Sequence, residues 1–283
     1  MSPLQTRPFG KDGPGVTIVG LGGEGILRSH GKNTLARPVI EEAAAQGIAY
    51  FDSARAYDES ERYLGRVWES RPELRRRVFQ TSKSARRDYA GAWADLETSL
   101  ANLHTSSLDL WQMHDLRTEE DLKTLEGPSG ALDAFLDARR QGKVRRIGVT
   151  GHEDPEILTR AVESWPVDSV LLPVNPIEGV LGGFLDRTIR AAVKKGIAVI
   201  GMKVLGQGTY LASQGGITAE LLIRYALSQQ VTLVIVGCSE PLEVLTLASL
   251  GRDFIPLAEE DQRRLEERFA PFAADLAFYR QVI

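Results

Sequence analysis

The chain has 283 residues, 43 % hydrophobic and 25 % charged, with a formal net charge of −4, which suits a globular α/β protein with a sizeable core. The charge offers no general attraction to nucleic acid or anionic lipid, and no apolar stretch approaches the ~18 residues that a membrane span needs. The single cysteine, Cys238, excludes an internal disulfide and a thiolate metal cluster.

In chain order, the opening residues Met1 to Arg7 lack the apolar centre of a signal peptide, and the expectation is a cytoplasmic protein. Lys11-Asp12-Gly13 is a turn signal and predicts an N-terminal hairpin. Apolar runs then recur at 16–21 (VTIVGL), 48–52 (IAYFD), 78–82 (VFQTS) and 108–114 (LDLWQMH). They continue at 144–150 (VRRIGVT), 169–174 (SVLLPV), 198–202 (AVIGM) and 231–237 (VTLVIVG). Most are rich in β-branched or aromatic residues with little polar alternation, as strands covered on both faces are. Helical patterns lie between them. Leu96, Leu100 and Leu103 fall on one helix face. Asp154-Pro155-Glu156 is a helix start. Gly47, Gly142 and Gly196 stand where left-handed helix ends are expected. Stretch 258–269 reads as an additional C-terminal helix. Eight strands alternating with helices over this length predict an α/β fold, a (β/α)₈ barrel with an N-terminal β-hairpin, over a single domain spanning 1–283.

Gly20-Leu21-Gly22-Gly23-Glu24-Gly25 fits the G-x-G-x-x-G dinucleotide fingerprint and follows a strand. That fingerprint requires a helix opening at its third glycine. Residues 26–38 carry Gly31 and Pro38 with no sustained apolar period, so a doubly wound dinucleotide fold is the lesser reading.

Three successive strands end in ionisable groups: Asp52 after IAYF, Lys83 after VFQTS and His114 after LDLWQM. Tyr57 follows Asp52 by five residues. In a parallel barrel the C-terminal strand ends share one rim, where barrel enzymes place their chemistry. Each group alone reads as a cap, a solvated charge or a packed ring; together they suit carbonyl reduction. Hydride addition leaves a developing alkoxide that needs a proton donor and stabilising charge. A phenol with a pKa near 10 needs a nearby cation to lower it. Lys83 is expected to do that, with Asp52 orienting Lys83 and a neutral His114 bonding the carbonyl oxygen.

These segments resemble the aldo-keto reductases over nearly the whole chain. Phe51-Asp52-Ser53-Ala54 with Tyr57, Glu61 and Leu64-Gly65 is similar to that family's Asp and Tyr segment. Thr81-Ser82-Lys83 is similar to its Lys segment. Ser99 to Leu103, Leu108-Asp109-Leu110 and His114 are similar to its His segment. The resemblance implies a metal-free oxidoreductase reducing aldehydes or ketones with NADP(H), NAD(H) a close second, and Tyr57 as general acid. It also implies cofactor contacts. Gly22 and Gly23 match the glycine-rich end of the first strand. Thr150 keeps a hydroxyl for the nicotinamide amide, although Gly151 replaces the family's asparagine, and Asn175 lies in the segment beneath the nicotinamide. The stretch Lys203, Leu205, Gly206 and Gly208 resembles the pyrophosphate loop, with Met202 or Lys203 where the family places a ring against the nicotinamide. Gly237, Ser239 and Glu243 fall in the adenosine-phosphate region. Glu243 would repel a 2′-phosphate and suit a free ribose hydroxyl. That favours, as an alternative, an NAD-dependent sugar or alcohol dehydrogenase. A cofactor-binding regulatory subunit on the same scaffold is a third reading, and the intact tetrad argues against it. The substrate loops after the fourth strand and at the C-terminus look short, which predicts an open pocket that accepts varied aldehydes or ketones. The sequence holds no apolar stripe that points to a dimer.

Overall fold

A computed structural model describes residues 2–213 and 215–280. Ten strands are formed: β1 (Thr6–Pro8), β2 (Gly15–Thr17), β3 (Val19–Gly25), β4 (Tyr50–Phe51), β5 (Phe79–Ser84), β6 (Leu110–Met113), β7 (Ile147–Thr150), β8 (Ser169–Pro173), β9 (Ala198–Met202) and β10 (Leu233–Cys238). β1 and β2 make the expected antiparallel hairpin. The other eight close a parallel barrel in chain order, with β10 pairing back onto β3. The run 16–21 is therefore two elements rather than one strand, because the hairpin uses residues 15–17 before the barrel begins at Val19.

Side-chain alternation along the strands sorts the residues. Tyr50, Phe79, Leu110, Leu171, Ala198, Ile200 and Leu233 point inward and form an apolar layer at the barrel floor. Phe9 and Val16 of the hairpin join that layer and plug the floor. The Phe9 ring centroid lies 4.8 Å from that of Phe79. Phe51, Trp111, Val149 and Val170 point outward, into the shell between barrel and helices. Counting by twos from the floor residues brings Asp52, Lys83 and His114 to the inward-facing side at the C-terminal ends.

The helices begin and end for local reasons. Helix Pro155–Ser164 has Asp154 as N-cap, its carboxylate accepting from the Glu156 N–H at 2.7 Å, and Pro155 in the first turn. Gly47, Gly142 and Gly196 have φ of 84°, 73° and 71°, the left-handed turn that ends a helix before a strand. The glycine-rich run 20–25 lies within β3, and the next helix begins only at Asn33. No helix therefore opens at its third glycine. The tail forms helix Glu259–Phe269, as expected, then a short helix Ala273–Leu276. Among the described residues no helix is long and apolar enough to cross a membrane.

Candidate active site

The four groups read from the sequence meet at one rim. Asp52 follows β4, and Lys83 lies in β5. Both are almost completely buried, and Lys83 Nζ donates to Asp52 Oδ2 at 2.6 Å. Lys83 also donates to the Ser53 carbonyl at 2.9 Å and to Tyr57 Oη at 3.4 Å. The other Asp52 oxygen accepts from Thr81 Oγ1 at 3.1 Å. The Tyr57 and His114 rings meet edge to face, centroids 5.5 Å apart. Buried, hydrogen-bonded charges of this kind persist because each has a partner.

The neighbouring packing fixes this set. A Cβ on Gly23 would lie 2.6 Å from the Tyr57 ring. On Gly22 it would lie 2.9 Å from the Gly237 N, where β3 meets β10. Gly22 is thus required where two strands meet, and Gly23 by the seat of the Tyr57 ring. Behind the tetrad, buried Glu61 accepts from Ser82 Oγ at 2.6 Å, Arg55 at 2.8 Å and Asn102 Nδ2 at 3.0 Å. That hub ties helix Ser60–Ser70 to β5 and to helix Tyr89–Asn102.

Electrostatics differ from expectation in one respect. Burial, then the Asp52 carboxylate and Glu24, push the Tyr57 phenol well above its ordinary pKa. The Arg28 guanidinium opposes that rise. Burial also lowers the pKa of Lys83, an effect opposed by Asp52. His114 is lowered to about 3 by burial and by the charge of Lys83, and so is neutral at ordinary pH, as anticipated. Tyr57 therefore stands as a firmly protonated acid beside a neutral imidazole.

The remaining candidates divide. Thr150 Oγ1, at the end of β7, accepts from the Asp115 N–H at 2.8 Å. Asn175 is buried and caps helix Pro176–Leu181, its Oδ1 accepting from the Glu178 N–H at 3.1 Å. Its Nδ2 donates to the Lys203 carbonyl at 3.2 Å and to Tyr279 Oη at 3.0 Å. Lys203, at φ 53°, has no carboxylate within 4.0 Å among the described ion pairs. Its ammonium stands 5.2 Å from the Tyr279 ring centroid. Leu205 leads into a turn where Gly206 and Gly208 have φ of 53° and 87°. A Cβ on Gly208 would meet no atom within 4 Å, so space lies beyond it. Gly237 packs against Glu24 and Gly25 of β3. The Ser239 N–H donates to Glu243 Oε2 at 2.5 Å, just ahead of helix Pro241–Arg252.

Several residues at the rim escaped the sequence reading. The Arg28 guanidinium, paired with Glu24 at 2.8 Å, lies 5.2 Å from the Tyr57 ring centroid. His152 Nε2 lies 3.0 Å from Asp115 Oδ1, and Arg117 binds both Asp115 and Glu153. Tyr279 lies 104 residues from Asn175, which it bonds. No periodicity links it to the barrel. For Thr81 a signal existed, because it shares the inward parity of Lys83.

A buried Asp–Lys pair touching a phenol, with a neutral imidazole across from it at the C-terminal rim of an eight-stranded barrel, defines an oxidoreductase acting on carbonyl groups. The aldo/keto reductase family model matches residues 19–216. An aldo-keto reductase from Mycolicibacterium smegmatis is 30 % identical over 238 residues, covering 80 % of this chain and 79 % of that protein. Among solved structures, the holo form of aldo-keto reductase AKR11C1 from Bacillus halodurans superposes with a TM-score of 0.77 at 18 % identity, covering 93 % of this chain and 96 % of that one. An aldo-keto reductase from Klebsiella pneumoniae in complex with NADPH gives a TM-score of 0.75 at 20 % identity, covering 95 % and 96 %. The chain belongs to the aldo/keto reductase family.

Proposed function

We propose that the protein reduces aldehyde or ketone carbonyls of small molecules to alcohols in the cytoplasm, using NADP(H), with Tyr57 as general acid. The observation that carries this reading is the Tyr57 phenol at 3.4 Å from Lys83 Nζ and edge to face with a neutral His114. The residues at the rim suit a dinucleotide. Lys203 offers a cation without a carboxylate partner among the described ion pairs, and open space lies at Gly208 further along the same loop. Thr150, Asn175, Lys203, Leu205, Gly206, Gly208 and Ser239 would hold the cofactor, which supplies the hydride when bound.

The chain's own groups do the rest. His114, neutral, donates to the carbonyl oxygen and orients it. Tyr57 delivers a proton to that oxygen as negative charge grows on it. Lys83 stabilises the phenolate left behind, and Asp52 keeps Lys83 charged and aimed. Tyr57→Phe is expected to lower kcat by roughly 10²- to 10⁴-fold, the usual weight of a positioned acid. Its Kd for the cofactor should be nearly unchanged. Near-normal turnover by this variant would refute the mechanism.

Glu243 favours a second reading, oxidation of an alcohol with NAD(H), because its carboxylate lies in the region matched to the adenosine phosphate. Titration with NADPH and with NADH, followed by nicotinamide fluorescence, separates the two. Tighter NADPH supports the reductase, and tighter NADH the dehydrogenase. Glu243→Ala should shift the ratio toward NADPH if the acid faces the 2′ position.

A further inference from the structure

Segment Ala277–Arg280 crosses the barrel mouth above the ends of β7, β8 and β9, although the short C-terminus suggested an open pocket. Two kinds of contact hold it. Arg280 is anchored: its guanidinium is paired with the buried carboxylate of Glu178, donates to the Gly182 carbonyl at 2.6 Å, and lies 4.9 Å from the Phe184 ring centroid. Removing one partner of such a buried pair is strongly destabilising, so this end stays in place. Tyr279 is held by hydrogen bonds of its hydroxyl with Asn175, Glu178 and Tyr210 and by contacts of its ring. Its hydroxyl accepts from Asn175 Nδ2 at 3.0 Å and donates to Glu178 Oε1 at 2.7 Å. Its carbonyl lies 3.2 Å from His152 Nδ1. The ring is buried, with the Lys203 ammonium over it.

The Asn175 amide has no capacity left. Oδ1 is spent on the Glu178 N–H, and both Nδ2 protons are spent on Lys203 and Tyr279. A carboxamide oxygen can bond Asn175 only by replacing one of those acceptors. The Lys203 carbonyl belongs to the backbone, whereas the Tyr279 hydroxyl sits on a side chain that can rotate.

We propose that Tyr279 is a displaceable self-ligand of Asn175, standing where the nicotinamide carboxamide of the cofactor binds, with Arg280 as the fixed hinge of the segment. The proposal rests on the cofactor reading above. It makes Tyr279 a residue that sets cofactor affinity by competition.

The test compares wild type with Tyr279→Phe, which removes the hydroxyl and keeps the ring, and Tyr279→Leu, which fills the space without a polar atom. NADPH and NADH are titrated by fluorescence, and adenosine 2′,5′-bisphosphate, which lacks nicotinamide, by calorimetry. Thermal unfolding checks that each variant is folded. We expect Tyr279→Phe to bind the preferred dinucleotide roughly five-fold more tightly, the weight of one exchanged hydrogen bond. Affinity for the bisphosphate should not move. Unchanged or weaker dinucleotide binding by both folded variants, with wild type binding normally, overturns the proposal and leaves the cofactor reading standing. A matching gain for the bisphosphate also overturns it, because the effect would then not concern the carboxamide. If wild type and both variants bind neither dinucleotide, the cofactor reading fails and the proposal with it.

Discussion

Lys83 has three oxygens around its ammonium, and their distances rank their roles. Asp52 at 2.6 Å and the Ser53 carbonyl at 2.9 Å fix the position of the cation, and Tyr57 at 3.4 Å receives what remains. Lys83→Met should therefore do more than slow turnover. It leaves Asp52 buried without its cation, which costs about 3–5 kcal/mol. Urea unfolding should show that loss, and the double variant with Asp52→Asn should recover part of it. His114 gives a pH prediction. Its folded pKa of about 3 lies below the ~6.5 of an unfolded histidine. Between those values the unfolded chain binds more protons, so stability rises with pH there. It should be complete above about pH 6.5 and decline as pH falls toward 3. His114→Asn should flatten that limb in urea titrations at pH 7, 5 and 4. At Gly23 the new Cβ of Gly23→Ala would sit 2.6 Å from the Tyr57 ring and 3.0 Å from the Asp52 carbonyl. The phenol must shift, so kcat should fall by at least about 10-fold, as a small misplacement of a reacting group can cause. Unchanged kcat in that variant would show that the ring has slack.

At the scale of elements, strand parity explains why the site assembles. Tyr50 and Phe79 face inward at the floor, so Asp52, Thr81 and Lys83, two and four residues on, face inward above them. That much was legible from the residues, because strand ends and parity are local properties. The helix starts were legible for the same reason. Asp154 caps its helix through two N–H groups, at 2.7 and 3.4 Å. Asp154→Ala should cost about 1 kcal/mol, measurable as a lowered urea midpoint with an unchanged slope. The bond between Tyr279 and Asn175 was not legible, since 104 residues separate them. Asn175 reads as a cofactor contact only through the family resemblance. Its second duty as a helix cap required the helix to be seen.

At the scale of the molecule, the hairpin seals one end of the barrel and the C-terminal segment narrows the other. Phe9 is nearly inaccessible and packs against Phe79 and Tyr50, centroids 4.8 and 6.4 Å away. Phe9→Ala should cost about 3–5 kcal/mol, since the rigid strand ends cannot collapse into the cavity. Activity per folded molecule should change little, because the floor lies at the opposite end from Tyr57. Taken alone, the amino-acid order determined the eightfold alternation and the hairpin, put the four candidate groups at and just after successive strand ends, and made a dinucleotide turn the lesser reading of the glycine-rich run. All of these rest on apolar runs, strand ends, turn signals and caps, which act over a few residues. Only the tertiary structure decided that burial raises the Tyr57 pKa, that Gly22 lies where β3 meets β10, and that Tyr279 bonds Asn175. Each of those depends on burial and on distances between residues far apart in the chain, and desolvation and steric exclusion are properties of the assembled barrel.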